Sequence, residues 1–175
     1  MPNEPKLRTV NKAKPPYELN KFPPSFVETL GKELVYLMAT KDSYSLEGNE
    51  WEQIFANCIN ATWKPSNVGL DDIILGSCCW GAKTVIASSK NILSQKTVRL
   101  ISGRNSPAYS FEEDNILHQD PNYIGSLVLD IWNERVSAVR QIYKFVRTVV
   151  LIKGKTFDEF MVFETDTVRY DPELY

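Results

Sequence analysis

The chain has 175 residues, of which 43% are apolar and 24% charged, and its net charge at neutral pH is −2. This composition is that of one ordinary globular domain and excludes a chain that is disordered throughout. Its apolar runs are too short to cross a bilayer, and residues 1–21 lack the apolar segment of a signal peptide. Three cysteines with a single histidine and no Cys-x-x-Cys pair favour free thiols in a reducing cytoplasm over a structural zinc site.

The first predicted elements are an extended arm and two helices. Residues 1–24 hold six of the ten prolines and read as an arm, so we place a single domain at residues 25–175. Apolar residues at helical spacing predict a helix over 26–40 and a second over 48–62. The sequence Lys-Pro-Ser-Asn at residues 64–67 ends the second helix.

The rest of the chain alternates between predicted strands and one long helix. No element is predicted after the last strand, which suggests either a chain truncated there or a sheet edge completed by a partner. The expected fold class is α/β (α+β), with a mixed central β-sheet flanked by helices. The predicted strands cover residues 68–75, 77–87, 97–102, 146–152 and 159–165, and the long helix covers residues 122–145.

Charge is segregated along the sequence. Residues 42–72 hold six acids against one lysine, whereas residues 83–104 hold five cations and no acid. Residues 134–155 hold six cations against one acid. An acidic cluster beside basic segments suits a site that binds a metal ion and a polyanion together, although the same segments also fit a mixed, solvated surface.

Three residues form the candidate catalytic group. Asp72 opens one predicted strand, and Lys83 lies inside the next strand in an otherwise apolar run, where a lysine is costly unless it faces a site or a counter-charge. Glu52 shares the apolar face of the second helix and is the best second metal ligand, with Glu50 and Asp71 as alternatives. A carboxylate-bound divalent cation beside a lysine is suited to phosphodiester hydrolysis. The alternative is a structural ion pair between Lys83 and one of the aspartates.

This order of helix glutamate, strand aspartate and strand lysine resembles the PD-(D/E)XK nuclease superfamily, in particular type II restriction endonucleases. The runs WGAKT at residues 80–84, LISGRNSP at 100–107 and IWNERV at 131–136 add to the resemblance, which covers about residues 48–136. It implies a restriction-endonuclease-like fold, Mg²⁺ as cofactor and a homodimer that cuts double-stranded DNA. Asp72, Lys83 and Glu52 would then be catalytic, and Asp72 and Glu52 would hold the metal.

The sequence departs from the superfamily pattern at two positions. The acid that usually stands two residues before the lysine is replaced by Gly81, and Asp71 stands where a proline usually precedes the aspartate. If Glu52 does not supply the missing acid, the chain is a non-catalytic DNA-binding or assembly module on the same fold. A third interpretation is an unrelated protein-interaction domain in which the basic segments are simply solvated.

The predicted DNA contacts lie in the basic segment and in the loop that follows it. Arginine forks to guanine or phosphate and asparagine pairs with adenine, whereas the structural alternative is a turn in which the polar side chains bond to backbone. The predicted DNA-binding residues are Lys90, Lys96, Arg99, Arg104, Asn105 and Ser106.

Overall fold

The computed structural model describes residues 13–41, 45–98, 100, 105–111 and 118–174. Within these residues the chain is mixed α/β, with a five-stranded mixed sheet flanked by helices, which agrees with the fold class expected from the sequence. No helix among them is both long and apolar enough to span a bilayer. In chain order the helices and strands are α1 (Phe26–Thr40), α2 (Gly48–Cys58), β1 (Thr62–Trp63), β2 (Ile73–Leu75), β3 (Cys78–Ile86), α3 (Pro107–Phe111), α4 (Pro121–Arg140), β4 (Phe145–Lys153) and β5 (Phe160–Asp166).

The sheet follows the order of the chain, β1-β2-β3-β4-β5. Strands β1, β2 and β3 pair antiparallel, β3 and β4 pair parallel, and β4 and β5 pair antiparallel. The parallel pair requires a crossover, which α3 and α4 supply. The two longest strands, β3 and β4, therefore form the centre of the sheet.

Helix α1 has the predicted bounds, whereas α2 ends four residues before the predicted residue 62. Asn60 adopts the left-handed conformation, with φ of 52°. The Ala61 amide donates to Ala56 and the Asn60 amide donates to Asn57, which is the Schellman pattern of a helix C-terminus. Thr62, predicted as the last residue of this helix, instead forms the edge strand β1 with Trp63.

The prediction for residues 68–75 was also too long, because only Ile73–Leu75 is strand. Gly69 has a φ of 67° and its amide donates to the Ser66 hydroxyl, so residues 66–70 form a loop. The strand predicted over 97–102 was wrong at Thr97, Val98 and Leu100, which are not in a strand, and its other residues lie outside the described part. The last helix and the last two strands are confirmed, with α4 ending at Arg140 instead of residue 145.

The two faces of the sheet are packed differently. One, which we call the α2 face, carries alternate residues of β3 and β4, among them Trp80, Ala82 and Val149. Helices α1 and α2 bury it with Phe26, Leu30, Trp51 and Phe55, most of them under 6% exposed. The other, the α4 face, carries Cys79 and Val146, which pack against Val136 and Val139 of α4.

Residues 13–24 are not in a helix or strand, as expected for the arm, but they are firmly attached to the sheet. The Tyr17 hydroxyl donates to Glu164, 2.7 Å away, and Asn20 exchanges two hydrogen bonds with the backbone of Glu164. These bonds pair the outer edge of β5 with the arm at this point, which protects part of an edge strand from association.

Candidate functional site

Asp72 and Lys83 lie on the α4 face, on neighbouring segments. The Lys64 amide donates to the Asp72 carbonyl, so the β1–β2 ladder extends one residue beyond β2. Because Ile73 points to the α2 face, Asp72 points to the α4 face. The β2–β3 register sets Ile73 opposite Trp80, which places Asp72 opposite Gly81 and diagonal to Lys83.

Ser66, in the loop before β2, donates hydrogen bonds to two carboxylates. The Ser66 amide donates to Asp72 Oδ1 at 2.9 Å, and the Ser66 hydroxyl donates to Asp71 Oδ1. Asp72 is 5% exposed, whereas Asp71 is half-buried. A buried carboxylate that accepts a backbone N–H is held in one orientation, so Asp72 is a fixed acid beside a more accessible one.

Glu52 lies elsewhere. It is on α2, which covers the α2 face, and its Oε2 accepts a hydrogen bond from Trp63 Nε1 at 3.0 Å. The sheet therefore lies between the helix that carries Glu52 and the carboxylate of Asp72. This arrangement favours Asp71, which contacts the same serine as Asp72, as the second carboxylate, and a cation shared by Glu52 and Asp72 stays a prediction.

Gly81 has no room for a side chain. A Cβ atom at this position would be 3.0 Å from the Gly69 carbonyl oxygen and 3.0 Å from Leu70 Cα, so the loop before β2 crosses directly over β3 there. An acidic side chain at position 81 would therefore collide with the neighbouring backbone.

The predicted DNA-binding residues are split by their exposure. Lys90 and Lys96 are exposed, and Ser106 is half-buried. Arg99 and Arg104 lie outside the described residues. Asn105 is 4% exposed and its Oδ1 accepts a hydrogen bond from Arg135. The predicted pairing of Asn105 with adenine uses both amide atoms, and in this conformation the oxygen is already bonded to Arg135.

Arg135 is the residue whose role the sequence did not reveal. Its guanidinium donates to the Val68 carbonyl, with Nε at 3.0 Å, and to Asn105. It thereby ties α4 to the loop that precedes Asp72 and to the segment that precedes α3. One feature of the sequence could have indicated this role: Arg135 is at an inward position of the long amphipathic helix, where an unpaired charge is costly.

The two thiols at the start of β3 are not activated. Burial raises the pKa of Cys78 to about 12, and burial followed by the charges of Cys78 and Asp71 raises the pKa of Cys79 as well. Both groups remain protonated near neutral pH and are poor nucleophiles. Within the described ranges, no three or more His, Cys, Asp or Glu side chains are grouped so as to hold a metal ion.

Comparisons with known proteins add nothing to this geometry. The chain matches no family model, no curated protein and no solved structure.

Proposed function

We propose that the protein is a Mg²⁺-dependent endonuclease that hydrolyses phosphodiester bonds of double-stranded DNA, on a restriction-endonuclease-like fold. One observation carries the proposal: the β2–β3 register, continued one residue beyond β2, sets Asp72 diagonal to Lys83 on one face of the sheet. The order of elements supports it, since α2 is followed by three antiparallel strands, a helical crossover and a parallel strand. The resemblance of the sequence implies a mixed β-sheet flanked by helices, and this order of elements is consistent with it.

In this proposal the two aspartates hold the metal. Mg²⁺ keeps several waters and is commonly bound through one or two carboxylates, so Asp72 with Asp71 is a sufficient protein contribution. Asp72 supplies the fixed oxygen and the half-buried Asp71 supplies the accessible one. Both carboxylates accept hydrogen bonds from Ser66, which orients them before the cation arrives.

Lys83 would act on the water and on the phosphate. A half-buried lysine on the face of Asp72 is placed to orient an attacking water or to stabilise the charge that develops on the phosphorus oxygens. The exposed Lys90 and Lys96, with the nearby Arg99 and Arg104 of the sequence, would contact the DNA backbone. A homodimer would present two such sites to the two strands.

A second candidate is a non-catalytic DNA-binding or assembly module on the same fold. The observation that favours it is the crowding at Gly81, where the backbone of residues 69–70 occupies the place of the usual acid. In this alternative the basic segment still binds DNA, and Lys83 neutralises Asp72 instead of serving catalysis.

A plasmid assay separates the two candidates. We expect supercoiled DNA to be cut with Mg²⁺ and not with EDTA. Asp72→Asn should abolish cutting while its Oδ1 still accepts from Ser66, and Asp158→Asn, in the exposed β4–β5 turn, is the control. Cutting by Asp72→Asn at the normal rate would show that the nuclease proposal is wrong in its central residue.

A gel shift in Ca²⁺ tests binding apart from cleavage. Both candidates predict DNA binding that weakens with salt, with a log–log slope near −0.9 per phosphate contact. Binding without cutting supports the non-catalytic module. A binding constant that does not respond to salt would contradict both candidates and support a protein-interaction domain.

A further inference from the structure

A cavity on the α4 face is lined by neither Asp72 nor Lys83. It has a volume of about 210 Å³ and lies between α4 and the ends of β4 and β5. This is below the usual size of pockets for drug-sized molecules, so it suits a ligand of one small ring system. Its lining residues are Leu100, Asn105, Val128, Leu129, Trp132, Thr148, Thr165, Asp166, Thr167 and Tyr170.

One wall of this cavity is aromatic. The Trp132 ring is stacked on Tyr170, with ring centroids 6.3 Å apart and planes inclined by 30°. The indole nitrogen donates to the Val168 carbonyl at 2.8 Å, which fixes the ring. A fixed aromatic face beside the half-buried Val128 and Leu129 favours a flat, polarisable ring as the occupant.

Asn105 supplies a directed hydrogen-bond donor. Its Oδ1 is used by Arg135, and its Nδ2 has no hydrogen-bond partner among the described residues, although the residue is only 4% exposed. The amide NH₂ therefore keeps capacity to donate, and a ligand acceptor in the cavity could use it. Because the arginine can only donate, the NH₂ group must point away from the arginine.

Threonine hydroxyls supply the other polar contacts. Thr148 and Thr167 are buried and bonded to each other at 2.8 Å, which leaves one hydroxyl hydrogen free to donate. Thr165 is half-buried and its hydroxyl has no partner among the described residues. A hydroxyl both donates and accepts, so it matches an exocyclic amine or a ring oxygen.

We propose that this cavity binds a nucleobase, which stacks on Trp132 and accepts a hydrogen bond from Asn105. The base comes either from a free nucleoside or from a nucleotide turned out of a DNA duplex, and both sources present the same ring. Extrusion from a duplex costs a few kcal/mol, which contacts in the cavity would offset. The binding of a free nucleoside does not depend on the proposed nuclease activity.

The first test uses free adenosine, cytidine and thymidine, without DNA or Mg²⁺, by titration calorimetry. We expect saturable binding of at least one nucleoside. Asn105→Asp keeps the acceptor for Arg135 but replaces the donor with an acceptor, and should weaken binding about tenfold. Thr165→Val should weaken it by a smaller factor, whereas Thr62→Val, on the exposed edge strand β1, should not change it.

The second test separates the two sources of the base. A duplex that contains 2-aminopurine is titrated in Ca²⁺, and a rise in fluorescence that Asn105→Asp removes would indicate a base taken from DNA. Nucleoside binding without this rise would indicate a free ligand. Thermal melts confirm that the variants fold, and Thr165→Val carries the test if Asn105→Asp does not.

The proposal is overturned if the wild-type protein binds no nucleoside and gives no fluorescence change. It is also overturned if neither folded variant alters the affinity. These outcomes do not affect the result of the plasmid assay with Asp72→Asn. The experiments therefore distinguish a wrong cavity proposal from a wrong nuclease proposal.

Discussion

The two faces of the sheet use polar residues in opposite ways. On the α2 face the main polar group is Glu164, with its side chain fully buried, and it accepts hydrogen bonds from Trp80 at 2.6 Å, Tyr17 and Arg147. On the α4 face, Asp72 and Lys83 lie beside a loop, and Asn105 keeps an amide group without a partner among the described residues. The α2 face gathers its polar groups around one buried carboxylate, with Trp51 Nε1 and Arg147 Nε left without a partner among the described residues. The α4 face places its polar side chains beside a loop and a cavity, where a ligand can reach them.

The α2 face contributes mainly to stability, whereas the α4 face is accessible to a substrate. The α2 face buries a large aromatic cluster, in which the rings of Phe22 and Phe26 lie 4.2 Å apart and Phe55 contacts Trp51 and Trp80. Such burial stabilises a fold but offers no access to a substrate. The α4 face has cavities between α4, its loops and the sheet, where a substrate can reach polar side chains. Substitutions of polar residues on the α4 face should therefore reduce cleavage, whereas those on the α2 face should reduce stability.

The largest expected effect is that of Lys83→Met on cleavage. If Lys83 orients water, cleavage should fall by orders of magnitude while stability is little changed, because the methionine keeps the apolar stem and removes a charge that is costly to bury. Plasmid cleavage and thermal melting are measured on the same sample. If Lys83 is only a counter-ion, stability should fall by roughly 3–5 kcal/mol with cleavage preserved in the folded fraction, and the catalytic role would be excluded.

On the opposite face, Glu164→Gln should act on stability alone. The pair with Arg147 has side chains 0% and 4% exposed, so removal of the negative charge leaves a buried guanidinium uncompensated. We expect a loss of about 3 kcal/mol in the free energy of unfolding, measured in urea. The double variant Glu164→Gln, Arg147→Met should recover part of that loss. If the double variant is no more stable than the single one, the buried charge is not the cause.

A smaller effect is expected at the crossing of the loop over β3. Gly81→Ala places a methyl group 3.0 Å from backbone atoms of Gly69 and Leu70, which must move, so we expect a loss of about 1–3 kcal/mol. Gly125→Ala on α4 is the matched control, because nothing lies within 4 Å of its added methyl, and it should stabilise by up to about 1 kcal/mol. Equal effects of the two substitutions would contradict the close approach at Gly81.

The sequence predicted the α2 face and the central strands well, because periodic apolar residues report burial directly. It failed where single residues determine the chain path. Asn60 ended α2 early and Gly69 shortened β2, and neither leaves a mark in apolar periodicity. That Asp72 and Lys83 lie on one face follows from the hairpin register. The position of Glu52 depends on which face α2 covers, and only tertiary packing determines that.

The smallest expected effect concerns Glu50, at the start of α2. Burial by itself raises the pKa of this carboxyl, but hydrogen bonds from the Glu47 amide and from Lys41 outweigh it and hold the pKa below the ordinary value of 4.5. A carboxyl with a lowered pKa in the folded state stabilises the protein above its unfolded pKa, and this contribution is lost as the pH falls through the folded pKa. Glu50→Gln should therefore cost about 1 kcal/mol near neutral pH and less at about pH 3. Thermal melts at both pH values measure this, with Glu28→Gln in the exposed pair with Lys32 as the control. A cost that is the same at both pH values would show that Glu50 acts through packing and not through its charge.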